Sequence, residues 1–106
     1  DFTFVDDIAR GTVAGLGKLG YEIINLGSSQ PASLLELIGI IEERLGKKAN
    51  VSFEAPNPLD VPATWADVSK AKALLGWEPT TDLEAGIAAA VDWFRANRDL
   101  ALAVDL

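Results

Sequence analysis

Residues 21–36 read Tyr21-Glu22-Ile23-Ile24-Asn25-Leu26-Gly27-Ser28-Ser29-Gln30-Pro31-Ala32-Ser33-Leu34-Leu35-Glu36, and this stretch decides the fold class. Its first six residues have the look of a buried strand, stopped by Gly27 and a polar loop that contains a proline. Ser33-x-x-Glu36 is then a capping box, in which a hydroxyl and a carboxylate satisfy N–H groups that a helix start leaves unpaired. Leu34, Leu37, Ile38, Ile41 and Leu45 follow on one face and end at Gly46, as an amphipathic helix requires. Strand, turn and helix make a βα unit, with the strand expected over about 21–26 and the helix over about 33–45.

The flanking sequence repeats the pattern. Phe2, Phe4 and Val5 predict a strand over about 2–5, and Asp6-Asp7 reads as an N-terminal helix signal before Ile8, Thr12, Leu16 and Leu19, giving a helix over about 7–19. Val51-Ser52-Phe53 alternates like a strand, about 51–54. The next segment, Ala55 to Pro62, holds three prolines that forbid helix and withhold ladder donors, so it must be an ordered loop. Asp67 reads as the cap of a helix over 68–75, stopped by Gly76. Thr81-Asp82-Leu83-Glu84 is a second capping box, opening a helix over 82–98 with Leu83, Ile87, Ala90, Val91 and Phe94 facing inward. The expected fold class is therefore α/β, with Tyr21, Trp65 and Trp77 as core anchors. The apolar tail from Leu100 to Leu106 has the composition of a segment that covers another surface.

Composition narrows the function. With 9 Lys+Arg against 16 Asp+Glu, the net charge of −7 argues against a nucleic-acid or anionic-membrane partner. There is no Cys and no His, which excludes a disulfide framework, a Cys nucleophile, a His base and the usual zinc sites. No run approaches the ~18 apolar residues of a membrane span. The 106 residues amount to one domain, and the absence of Met together with the opening Asp1 leads us to expect a piece of a longer cytoplasmic protein.

Gly15-Leu16-Gly17-Lys18-Leu19-Gly20 spells the dinucleotide fingerprint, but a helix precedes it and a strand follows, the reverse of what pyrophosphate binding needs, so it reads as a helix end. Tyr21 has Asn25, not Lys, four residues on, which breaks the proton-transfer pair. Asp6 and Asp7 are explained by capping. Asn57 and Asp60, held in the proline-bracketed loop, are the candidates for gripping a hydroxyl-rich ligand.

Asp1-Phe2-Thr3-Phe4-Val5-Asp6-Asp7-Ile8 resembles a segment of the extended short-chain dehydrogenases that act on sugar nucleotides, and Tyr21 to Gly27 resembles their Tyr-x-x-x-Asn-x-Gly strand. Asp60 to Ala71, followed by Leu75-Gly76-Trp77-Glu78-Pro79, resembles the C-terminal region of the UDP-glucuronate and UDP-glucose 4-epimerases and their NAD-dependent epimerase/dehydratase relatives. The resemblance implies a parent isomerase whose N-terminal Rossmann domain, lacking here, holds NAD, and whose C-terminal region, residues 1–106 as a single fragment, meets a UDP-sugar. It assigns substrate contacts to Asn57 and Asp60, with no catalytic, cofactor-binding or metal-binding residue in this chain. Asn57 stands where galactose-type epimerases place a phosphate-binding Arg, and Leu59 stands where the usual pattern is Pro-Gly-Asp, a glycine that would leave Leu59 strained if its φ is positive. The fragment is expected to be inactive alone, to bind no cofactor, and to self-associate through the domain face left uncovered. The alternatives are a non-catalytic interaction or scaffold module descended from such an enzyme, or part of a nucleotide-sugar dehydratase.

Overall fold

The chain forms five helices among the described residues: α1 (Val5–Ala14), α2 (Leu34–Leu45), α3 (Ser69–Leu75), α4 (Leu83–Ala96) and α5 (Arg98–Leu102). This is a computed structural model, and it describes residues 1–17 and 20–103. The helix ends follow local chemistry. The Ser33 hydroxyl accepts the Glu36 N–H at 3.1 Å to open α2, and the Asp82 carboxylate accepts the Ala85 N–H at 2.8 Å to open α4. Gly46 and Gly76 close α2 and α3 in the left-handed region, at φ 64° and 61°, where a side chain would be strained.

The α/β expectation is corrected. None of the strands expected at 2–5, 21–26 and 51–54 is present among the described residues; Val5 already belongs to α1, behind an extended Phe4, and the other two segments lack regular structure. A strand exists only as a rung of a ladder, and among the described residues no backbone–backbone hydrogen bond reaches 21–26 or 51–54. Their sequences favour extension, but among the described residues no segment pairs with them.

Boundaries move as well. The first helix runs Val5–Ala14 instead of 7–19, and Lys18 and Leu19 lie outside the described residues. The third helix starts at Ser69, one residue late, and the last breaks at Asn97, whose backbone (φ −123°, ψ 33°) is not helical, so that α5 becomes a separate turn. Residues 104–106 of the apolar tail are outside the described residues.

The helices pack in two pairs, α2 on α4 and α1 on α3. Arg95 Nη2 donates to the Arg44 carbonyl at 3.0 Å and fastens the far end of the first pair. Only Trp77 and Ala71 are fully buried apolar side chains among the described residues. Tyr21 and Trp65, expected in the core, are instead 89% and 61% exposed: neither lies where the two helix pairs meet. The total accessible surface is 8407 Å², against about 5,700 Å² for a compact monomer of 11.3 kDa. The excess, roughly 2,700 Å², is the scale of one side of an extensive protein interface.

Candidate functional site

The tightest polar construction centres on Asp7, 2% exposed and facing the chain's second half from α1. Its Oδ1 accepts from Arg10 Nη2 at 2.5 Å and Thr80 Oγ1 at 2.8 Å, and its Oδ2 accepts from the N–H groups of Thr81 (2.9 Å) and Thr80 (3.1 Å). The Asp7 carbonyl takes the indole N–H of Trp77 at 2.9 Å. Arg10 lies 5.8 Å from the Trp77 ring centroid and donates to the Glu78 carbonyl at 2.8 Å. Burial is the largest single influence on the Asp7 carboxyl and pushes its pKa up; Arg10, the Thr80 hydroxyl and the two N–H donors together outweigh it and hold the group well below the usual carboxylate range. A carboxylate with every lone-pair direction so engaged stays ionised and is no proton acceptor for chemistry. It joins α1 to residues 77–81.

Capping does not describe Asp7, since no side chain caps α1. The sequence did carry a signal for the junction: an acid three residues before Arg10, and hydroxyl-bearing Thr80-Thr81 directly after the buried Trp77 and Pro79.

Asn57 and Asp60 lie on an exposed turn. The Asn57 side-chain oxygen accepts the Leu59 N–H and its main-chain carbonyl accepts the Asp60 N–H, both at 3.0 Å, with Pro58 at the position a β-turn favours. Leu59 does not have positive φ; Ser29, at 57°, is the only non-glycine residue that does among those described. With no positive φ at Leu59 the turn asks for no glycine there, and the Leu departure carries no backbone strain.

The 57–60 turn lines neither of two clefts found among the described residues. One, of about 240 Å³, opens between the starts of α2 and α4, with Phe2, Ser28, Gln30, Thr80 and Asp82 among its walls. The other, of about 220 Å³, lies between α1 and the 20–26 segment, bounded by Gly11, Glu22, Ile24, Leu26 and Leu75.

The glycine run does not fit a dinucleotide. Gly15 caps the C-terminal end of α1, where carbonyls and the negative end of the helix dipole face outward, the wrong polarity for pyrophosphate. Among the described residues no group of three carboxylates could hold a metal ion, and no helix is long and apolar enough to cross a membrane.

No protein-family model matches the chain. Over nearly its whole length the chain is similar to individual proteins named as UDP-sugar 4-epimerases. It is 50% identical over 101 residues, 94% of this chain, to a UDP-glucuronate 4-epimerase of Thermodesulfobacterium geofontis. Among solved structures it matches the Bacillus cereus UDP-glucuronic acid 4-epimerase, in complex with UDP-glucuronic acid and NAD, at 40% identity and TM-score 0.80 over 91% of its length. The UDP-glucose 4-epimerase of Thermotoga maritima with UDP-glucose matches at 31% identity and TM-score 0.84 over 92%. The chain spans only 31% or 32% of the length of each of these proteins.

Proposed function

We propose that this chain is the C-terminal, nucleotide-sugar-facing portion of a cytoplasmic NAD-dependent UDP-sugar 4-epimerase of the glucuronate or glucose type. The observation that carries this is the similarity to the Bacillus cereus enzyme, whose structure contains both UDP-glucuronic acid and NAD. In this reading Asn57 and Asp60 contact the nucleotide sugar, Asn57 donating a neutral hydrogen bond where related enzymes use a charge. NAD and the proton-transfer residues come from the two-thirds of the relatives that this chain does not span; the cofactor supplies reversible oxidation of the sugar, and the residues here bind and orient it.

The unpaired segments 21–26 and 51–54 and the roughly 2,700 Å² of excess surface support the same reading. Both are what a piece of a larger α/β protein has before its sheet is completed. Produced alone, the 106 residues should self-associate through this surface.

The test is to express the whole open reading frame that contains these residues and assay UDP-glucuronate and UDP-glucose with NAD for conversion at C4. Turnover of either establishes the reading. A well-folded product with no turnover refutes it, and a frame that lacks a cofactor-binding half would instead establish the interaction-module alternative, which the exposed apolar surface favours.

A further inference from the structure

The exposed loop that carries Asn57 and Asp60 returns to the body of the protein at Ala66, and both main-chain groups of that residue are gripped. Every residue from 51 to 65 is exposed. At Ala66 the N–H donates to Asp1 Oδ2 at 2.8 Å, while the carbonyl accepts from Ser29 Oγ at 2.6 Å. The grip is braced from behind. Asp1 Oδ1 accepts from the Ser28 N–H at 2.9 Å, from the Ser28 hydroxyl and from Thr3 Oγ1 at 3.3 Å. Ser29 is held in the left-handed region that non-glycine residues avoid, which is the conformation that coincides with its hydroxyl's bond to Ala66. Gly27 permits the approach, since a Cβ there would stand 2.5 Å from the Ala66 Cβ and 2.8 Å from Asp1 Oδ2. The Asp1 amino group also donates to the Thr64 carbonyl at 3.1 Å, so segments distant in sequence converge on the downstream end of an exposed loop.

We infer that Asp1 and Ser29 are positioning residues, a clasp that fixes the downstream anchor of the 57–66 loop and so holds Asn57 and Asp60 in register for a nucleotide diphosphate. This rests on the proposed function for the ligand, but not for the clasp itself. A loop anchored at one defined point loses less freedom when a ligand orders it, so the clasp acts on affinity through preorganisation.

Ser29→Gly is the informative variant, because glycine adopts the observed φ freely and only the hydroxyl is lost. In the full-length protein we expect amide hydrogen exchange across 60–66 to rise about tenfold, with α1 and α4 unchanged, and UDP affinity to fall about fivefold, the worth of one hydrogen bond. Ser29→Asn, which tolerates the left-handed region and offers an N–H donor, should restore both. Asp1→Asn, which leaves one acceptor oxygen for the N–H groups of Ala66 and Ser28, should loosen the same amides together with that of Ser28. Wild-type exchange rates in Ser29→Gly would overturn the clasp. Faster exchange with unchanged UDP affinity would overturn its role in positioning. Failure of the unsubstituted protein to bind UDP would overturn the ligand reading alone, leaving the exchange rates to decide the clasp.

Discussion

Replacing Asp7 by Asn keeps shape and volume and changes only charge and hydrogen-bond polarity. The amide has one acceptor oxygen for a place where four donors converge. Its best orientation turns the oxygen to the N–H groups of Thr80 and Thr81 and the NH₂ to the Thr80 hydroxyl, which must reverse to accept. Arg10 then faces a donor and loses a charge-assisted bond, worth about 1.5–3 kcal/mol. Since Arg10 is 45% exposed and regains water, the low end of the penalty for breaking a buried ion pair applies, about 3 kcal/mol in total. That is a large share of the roughly 5–15 kcal/mol that holds a domain together. Urea denaturation followed by circular dichroism should show a midpoint lower by about 1–2 M with an unchanged slope. The pH dependence gives an independent reading. A depressed carboxyl stabilises the fold fully above its unfolded value of about 3.9, and that stability drains away as pH falls toward the folded value, because the unfolded chain takes up the proton first. The variant should lack this acid-side loss. A shift below about 0.5 kcal/mol, the level of an ordinary surface substitution, would refute the account of Asp7 as the junction between the two halves.

Two further outcomes follow from local geometry. Gly11→Ala gains helix propensity but places a Cβ 2.8 Å from a Leu26 methyl and 2.9 Å from the pinned Trp77 Nε1, so thermal unfolding should show a net loss of about 1–2 kcal/mol. Ser33→Ala and Asp82→Ala should each cost about 1 kcal/mol by removing the acceptors that open α2 and α4, and because the two caps share no partner their effects should add in the double variant.

What could be read from the sequence was what depends on neighbours in the chain. The cap at Ser33, the glycine stops at Gly46 and Gly76, and burial of Trp77 follow from local chemistry and hydrophobic spacing, and all are present, whereas the capping box read at Thr81-x-x-Glu84 is displaced by one residue, Asp82 being the cap of α4. The strands failed for a non-local reason: Tyr21 to Leu26 has the composition of a strand, but pairing is a property of two segments, and among the described residues no backbone hydrogen bond joins it to another. Trp65 and Tyr21 failed the same way, since burial also depends on a second segment packing against a residue, and both are exposed. Asp7 was assigned to capping because acids before a helix usually cap, whereas its actual partners, Thr80 and Thr81, lie 73 and 74 residues away. Asn57 was legible as turn chemistry, which the structure shows, and its ligand contact rests on family resemblance alone.

The span between Asp7 and Thr81 has a consequence for how such a protein can change. Closing that loop costs entropy that grows only with the logarithm of its length, so inserting ten residues near the 57–60 turn would add only about 0.1 kcal/mol. Folding must wait until Thr81 has left the ribosome, but it hardly registers how long the intervening loop is. Successive descendants could therefore rewrite the loop residue by residue, or lengthen it outright, and explore new ligands while the junction that assembles the fold stays as it was.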